Sequence, residues 1–107
     1  MRAGGEIRGN SKDRAARRAK LLSVYGDGHT ANCVHCGTAV VNSTMEVDKI
    51  IPGSMGGRYV WANIHVSCIP CNRTRSDRTT VAEMRTLQGK LILTSKRDRA
   101  QFAELAI

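Results

Sequence analysis

Two cysteine pairs, Cys33-Val-His-Cys36 and Cys68-Ile-Pro-Cys71, are the residues whose type and spacing specify chemistry most directly. Two such pairs supply four thiolates to a single tetrahedral zinc ion. A four-thiolate site has no open position for water, so this zinc would be structural and any reaction must take place elsewhere. Disulfides are the rival reading, and an iron-sulfur cluster a more distant one. Residues 1–7 contain Glu6 and two glycines where a signal core would be apolar, so the expectation is a protein that is not secreted, in a compartment that keeps thiols reduced. His35, between the first two cysteines, is read as an outward-facing loop residue rather than a replacement ligand.

Charge indicates the partner. The chain carries 17 Lys and Arg against 9 Asp and Glu, a net +8, and the excess is clustered. Seven basic residues fall within positions 1–20 against Glu6 and Asp13. Arg73, Arg75 and Arg78 form a second group, and Lys90, Lys96, Arg97 and Arg99 a third. A polyanion meets cations from both ends of such a chain, which makes nucleic acid the expected partner. The competing reading is a basic surface that only keeps a small protein soluble.

The elements that position these groups must be few. A chain of 107 residues with four aromatics suits one domain whose core is small enough to need a staple, and zinc supplies one. No stretch approaches the roughly 18 apolar residues of a membrane span. Residues 1–10 are read as a flexible basic arm and 11–107 as a single domain. Ser11 caps a predicted helix through Ala15, Ala19, Leu21 and Leu22, stopped by Gly26 or Gly28. Ala39 to Val41 and Met45 to Ile51 read as the strands of a hairpin, and the breakers Pro52, Gly53, Gly56 and Gly57 as an exposed loop. Thr80 and Glu83 have capping-box spacing ahead of a helix that ends near Gly89. Leu91 to Leu93 is a candidate strand. Residues 98–107 are a final helix, with Phe102, Leu105 and Ile107 towards the core.

The cysteine pairs together with Val47-Asp48-Lys49-Ile50-Ile51-Pro52, Gly56-Gly57, Asn63-Ile64 and Cys68-Ile-Pro-Cys71-Asn72 closely resemble the HNH endonuclease family, with residues 33–75 as the motif core. The arrangement is similar to small HNH proteins of bacteriophages. The resemblance implies an α+β fold, a small zinc-stapled ββα-metal (HNH or treble-clef-like) domain with flanking helices. It implies a DNA endonuclease, a phosphodiester hydrolase using Mg²⁺ or another divalent cation beside one structural Zn²⁺. Double-stranded DNA is the implied substrate, phage packaging or replication proteins are further expected partners, and the expected location is the cytoplasm, that of the host cell if the chain is phage-encoded.

Carried over residue by residue, the resemblance makes Asp48 and Asn72 the ligands of the divalent metal. Asn63 holds the catalytic loop through hydrogen bonds. Lys49 occupies the place of the general-base histidine. An unperturbed lysine has a pKa of about 10.4, so it arrives protonated and suits transition-state stabilisation better than proton abstraction. His65 is the histidine nearest in sequence that could take over as base. Arg14, Arg17, Arg18, Arg58, Arg73, Arg75 and Arg78 are the candidate DNA contacts. Tyr59 and Trp61 read as core residues before they read as DNA contacts. Two functions therefore stand: a metal-dependent endonuclease with an atypical lysine, or a catalytically inactive zinc-stabilised DNA-binding or accessory protein.

Overall fold

The structure is a computed structural model that describes residues 9–75 and 78–107. The first eight residues of the expected basic arm lie outside the described residues, as do Ser76 and Asp77.

The chain opens with helix α1 (Ser11–Tyr25). Its cap is Asn10, one residue earlier than the sequence suggests. The Asn10 side chain accepts from Asp13 N, and the Asp13 carboxylate accepts from Asn10 N, so two orphan amides of the first turn are satisfied reciprocally. Leu21 and Leu22 are the buried residues of this helix and pack into the main core with Ala31, Val40, Met45, Ile64 and Val66.

Two short antiparallel sheets follow. Strand β1 (Ala31–Asn32) pairs with β2 (Ala39–Val40), and between them the first cysteine pair lies on a tight turn closed by Gly37 at φ +80°. Strand β3 (Met45–Lys49) pairs with β4 (Ile64–Cys68), with Met45 opposite Cys68, Asp48 opposite His65 and Lys49 opposite Ile64. The expected hairpin between 39–41 and 45–51 is therefore corrected. The link between those runs is a turn in which Val41 N donates to the Thr44 hydroxyl at 2.9 Å, and each run finds its partner elsewhere. β4 is buried along its whole length, because α1 and the first cysteine turn pack on it, and Val34 N donates to Val66 O at 2.9 Å.

Helix α2 (Ile69–Arg75) leaves β4 directly and completes a ββα unit with β3 and β4. Helix α3 (Val81–Gln88) begins at Thr80, whose hydroxyl accepts from Glu83 N at 3.1 Å, and buries Met84 and Leu87 against Ile50 in a second, smaller core. Helix α4 (Lys96–Leu105) is capped by Ser95 and lies on the Trp61–Asn63 turn. Gln88 joins the last two helices: its amide donates to Leu105 O at 2.9 Å and accepts from Ile107 N at 3.0 Å. Phe102 and Leu105 are half-buried, and Ile107 is exposed rather than part of the core.

Leu91 to Leu93 does not form a strand. Side chains satisfy this extended segment instead: Ile92 N donates to the Tyr25 hydroxyl at 2.8 Å, and Trp61 Nε1 donates to Ile92 O at 2.9 Å. No described helix is long and apolar enough to cross a membrane.

Candidate metal centre and nucleic-acid cleft

The β1–β2 turn and the junction of β4 with α2 bring the four cysteines together. Their sulfurs lie within 4.8 Å of one another, and Cys36 Sγ is 3.8 Å from Cys68 Sγ. A tetrahedral zinc with Zn–S bonds of about 2.3 Å sets sulfurs about 3.8 Å apart, so the donor set fits this ion. Amides already point at two of the sulfurs, with His35 N donating to Cys33 Sγ and Cys71 N to Cys68 Sγ, each at 3.4 Å. The thiols compete for ionisation. Hydrogen bonding at Thr38 lowers Cys36 to about 6, whereas the neighbouring Cys68 and Cys36 push Cys71 up to about 12. A dication at the centre favours all four thiolates at once.

Beside β3 lies an open cleft of about 340 Å³. Val47 and Lys49 enter it from β3, and Asn72, Arg73 and Arg75 from α2. The loop between the strands contributes Pro52, Gly53, Ser54 and Tyr59. Among the described residues, no acidic side chain lines it. The Tyr59 ring holds cations close to the cleft, with Lys49 Nζ 4.6 Å and the Arg17 guanidinium carbon 5.1 Å from its centroid. Lys20 Nζ lies 4.1 Å from the Trp61 ring centroid, so the cationic surface continues along α1. Both aromatics also pack against the main core.

Asn63 shapes the wall of the cleft. It is 1% exposed, accepts from Ile51 N at 2.9 Å, and donates to Ile51 O and Arg58 O, each at 3.1 Å. The amide thus pins both ends of the 51–58 loop. Gly57 is needed for the same closure, because a Cβ there would lie 1.6 Å from Ile51 O and 3.0 Å from Asn63 Nδ2.

Asp48 faces away from this cleft. Side chains alternate along a strand, so Val47 and Lys49 look one way and Asp48 the other. Asp48 is 1% exposed, and both of its oxygens have partners. His35 Nε2 donates to Oδ2 at 2.6 Å, and Arg75 Nη1 donates to Oδ1. A carboxylate accepts only, so the His35 ring carries its hydrogen at Nε2. The two residues expected to hold a divalent cation are differently employed: Asn72 lines the cleft, while both Asp48 oxygens are taken by an imidazole and a guanidinium. With both oxygens so occupied, Asp48 as it stands does not fit as a ligand of a divalent ion.

The structure also redirects two of the arginines assigned to DNA. Arg18 donates to Asn42 Oδ1 at 3.2 Å, Asn42 O at 2.7 Å and Met45 O at 2.9 Å, which ties α1 to the turn before β3. Arg75 is turned inward with its side chain 8% exposed. It donates to Lys49 O at 3.0 Å, Ile50 O at 2.7 Å and the Thr79 hydroxyl at 3.1 Å besides Asp48. Its Nε is the one buried side-chain polar atom without a partner among the described residues. Arg73 and Arg58 are exposed at the cleft and its loop, and Arg14 is exposed on α1. Arg78 lines a different groove, with His35, Pro70 and Glu83.

His65 lies outside the cleft. The residue is 6% exposed, and its ring lies 3.9 Å, centroid to centroid, from that of Tyr25. Nδ1 accepts from Val66 N at 2.7 Å, which leaves Nε2 to donate to Lys90 O at 3.3 Å. Burial lowers its pKa to about 4, so it is a neutral, doubly bonded packing residue rather than a base beside Lys49. His35 is the residue that spacing analysis missed. Its place in the cysteine turn was visible, but nothing in that spacing indicated that its ring reaches across to β3.

Residues 33–85, about half of the chain, match the model of the HNH endonuclease family. Together with the ββα unit and the four-cysteine cluster, this match shows that the chain belongs to the HNH nuclease family, whose members in general interact with DNA. Comparison with curated proteins and with solved structures gave no match.

Proposed function

We propose that residues 11–107 act as one zinc-stapled DNA-binding domain of the HNH family, which seats a backbone phosphate in the cleft at Lys49, Asn72 and Arg73. The observation that carries this reading is the convergence of those side chains in one cleft whose described lining holds no carboxylate, flanked by the Tyr59-associated Arg17. A phosphate needs cations and amide donors, and these groups supply both. Arg14, Lys20 and Arg58 extend the cationic track along the duplex. The zinc is structural, and its work is to hold the β1–β2 turn against the start of α2.

Turnover is the second reading, supported by family membership and by Lys49 and Asn72 sharing one cleft. It needs Asp48 to leave His35 and Arg75 and take a divalent cation, with Lys49 as a transition-state cation in the place of a base. The enclosed Asp48 favours binding without turnover, in an accessory role that includes phage packaging or replication.

The test is purified, zinc-loaded protein with supercoiled plasmid and Mg²⁺, Mn²⁺ or Ni²⁺, beside Asp48→Ala and Lys49→His, with DNA affinity measured against salt. The expected result is tight binding that falls steeply with salt, weakened by Lys49→Ala and Arg73→Ala, and no nicking. Nicking that needs the cation and disappears in Asp48→Ala would establish the second reading. Affinity independent of salt would overturn both.

A further inference from the structure

The enclosed carboxylate of Asp48 has a consequence beyond DNA binding. A buried carboxylate is held either by a metal or by paired and hydrogen-bonding groups. Here the cation is part of the chain. The Arg75 head meets Asp48 on one side and lines the phosphate cleft on the other. Two backbone carbonyls, Lys49 O and Ile50 O, fix it in that position. The second carboxylate oxygen is taken by His35. A hard divalent ion would need an unoccupied oxygen and would sit against a fixed positive charge.

We propose that Arg75 is the resident cation of the Asp48 pocket, standing where a divalent ion would otherwise bind, so that the cleft handles phosphate with protein cations alone. Arg75 is then also the barrier between Asp48 and Asn72. Removing its head opens the carboxylate towards the cleft that holds the Asn72 amide and creates a divalent-metal site.

Zinc-loaded protein without DNA is titrated with Mn²⁺, and free Mn²⁺ is read by electron paramagnetic resonance. Wild type is expected to bind no more Mn²⁺ than Asp48→Asn. Arg75→Ala is expected to gain one saturable site, at least about tenfold tighter than any binding by wild type, and to lose it when Asp48→Asn is added. Arg75→Gln, which keeps donors for the Lys49 and Ile50 carbonyls, carries the same expectation should Arg75→Ala fail to fold. A wild-type site that vanishes in Asp48→Asn would overturn the proposal, and so would a folded Arg75 variant that binds no additional Mn²⁺. Because no DNA is present, failure here leaves the DNA-binding reading to stand or fall on its own salt titration.

Discussion

Replacing Asn63 by alanine removes three hydrogen bonds from a side chain that is 1% exposed. Ile51 loses partners for both N and O in half-buried surroundings, at roughly 1–2 kcal/mol each, and Arg58 O, nearer solvent, loses less. The sum is about 3 kcal/mol, a large share of the roughly 5–15 kcal/mol that holds a small domain together. In thermal unfolding of the zinc-loaded protein this corresponds to a fall in Tm on the order of 15 °C. Asn63→Asp sharpens the test. It keeps the acceptor for Ile51 N but sets an oxygen against the Ile51 and Arg58 carbonyls, so it should be no more stable than Asn63→Ala. Denaturant unfolding of both variants gives the numbers directly. A cost below about 1 kcal/mol for Ala, or an Asp variant clearly more stable than Ala, would refute the view that this amide clamps the loop.

The pH dependence of stability should carry the imprint of His65. Its pKa is about 4 in the fold against about 6.5 when unfolded, so the unfolded chain binds more protons between these values. Stability is then complete above about 6.5 and falls as pH drops towards 4, by about 3 kcal/mol from this group. The wild-type loss over that window, minus the loss in His65→Gln, isolates the term; equal losses would remove His65 as its source. Arg18→Ala should destabilise the domain by roughly 2 kcal/mol, because three acceptors at the α1–β3 junction lose a charged donor. Its DNA affinity, measured on the folded variant, should change less than that of Arg73→Ala. Stripping metal with a strong chelator should abolish cooperative unfolding, and Cys68→Ser should behave alike even with zinc supplied, as circular dichroism and metal analysis would report.

Local chemistry was the legible part of the sequence. The cysteine pairs were readable because a metal reads side chains at short spacings, and the Thr80 cap because it satisfies an amide three residues away. Partners distant in sequence were not readable. β3 has the composition of a strand, but its mate lies beyond the glycine loop, and the nearer run at Ala39 competes for the same assignment. Leu91 to Leu93 has strand residues, yet a tyrosine hydroxyl and an indole replace the neighbouring strand. Charge counting recorded Arg18 and Arg75 as surface cations, whereas carbonyls and a carboxylate draw both inward. The family pattern located Asp48 but not its surroundings, since the groups that enclose it come from a turn before it and a helix after it.

A zinc ion held by the four cysteines would join residues 33–36 to 68–71, so that the intervening chain, with β3 and the cleft loop, forms a ring. The Gly53–Met55 turn, exposed on that ring, is where it can be opened. One cut there yields two fragments, each with half of the tetrahedral site and one strand of the β3–β4 pair. The domain therefore has the layout of a split protein whose two halves share one four-sulfur site and one strand pair.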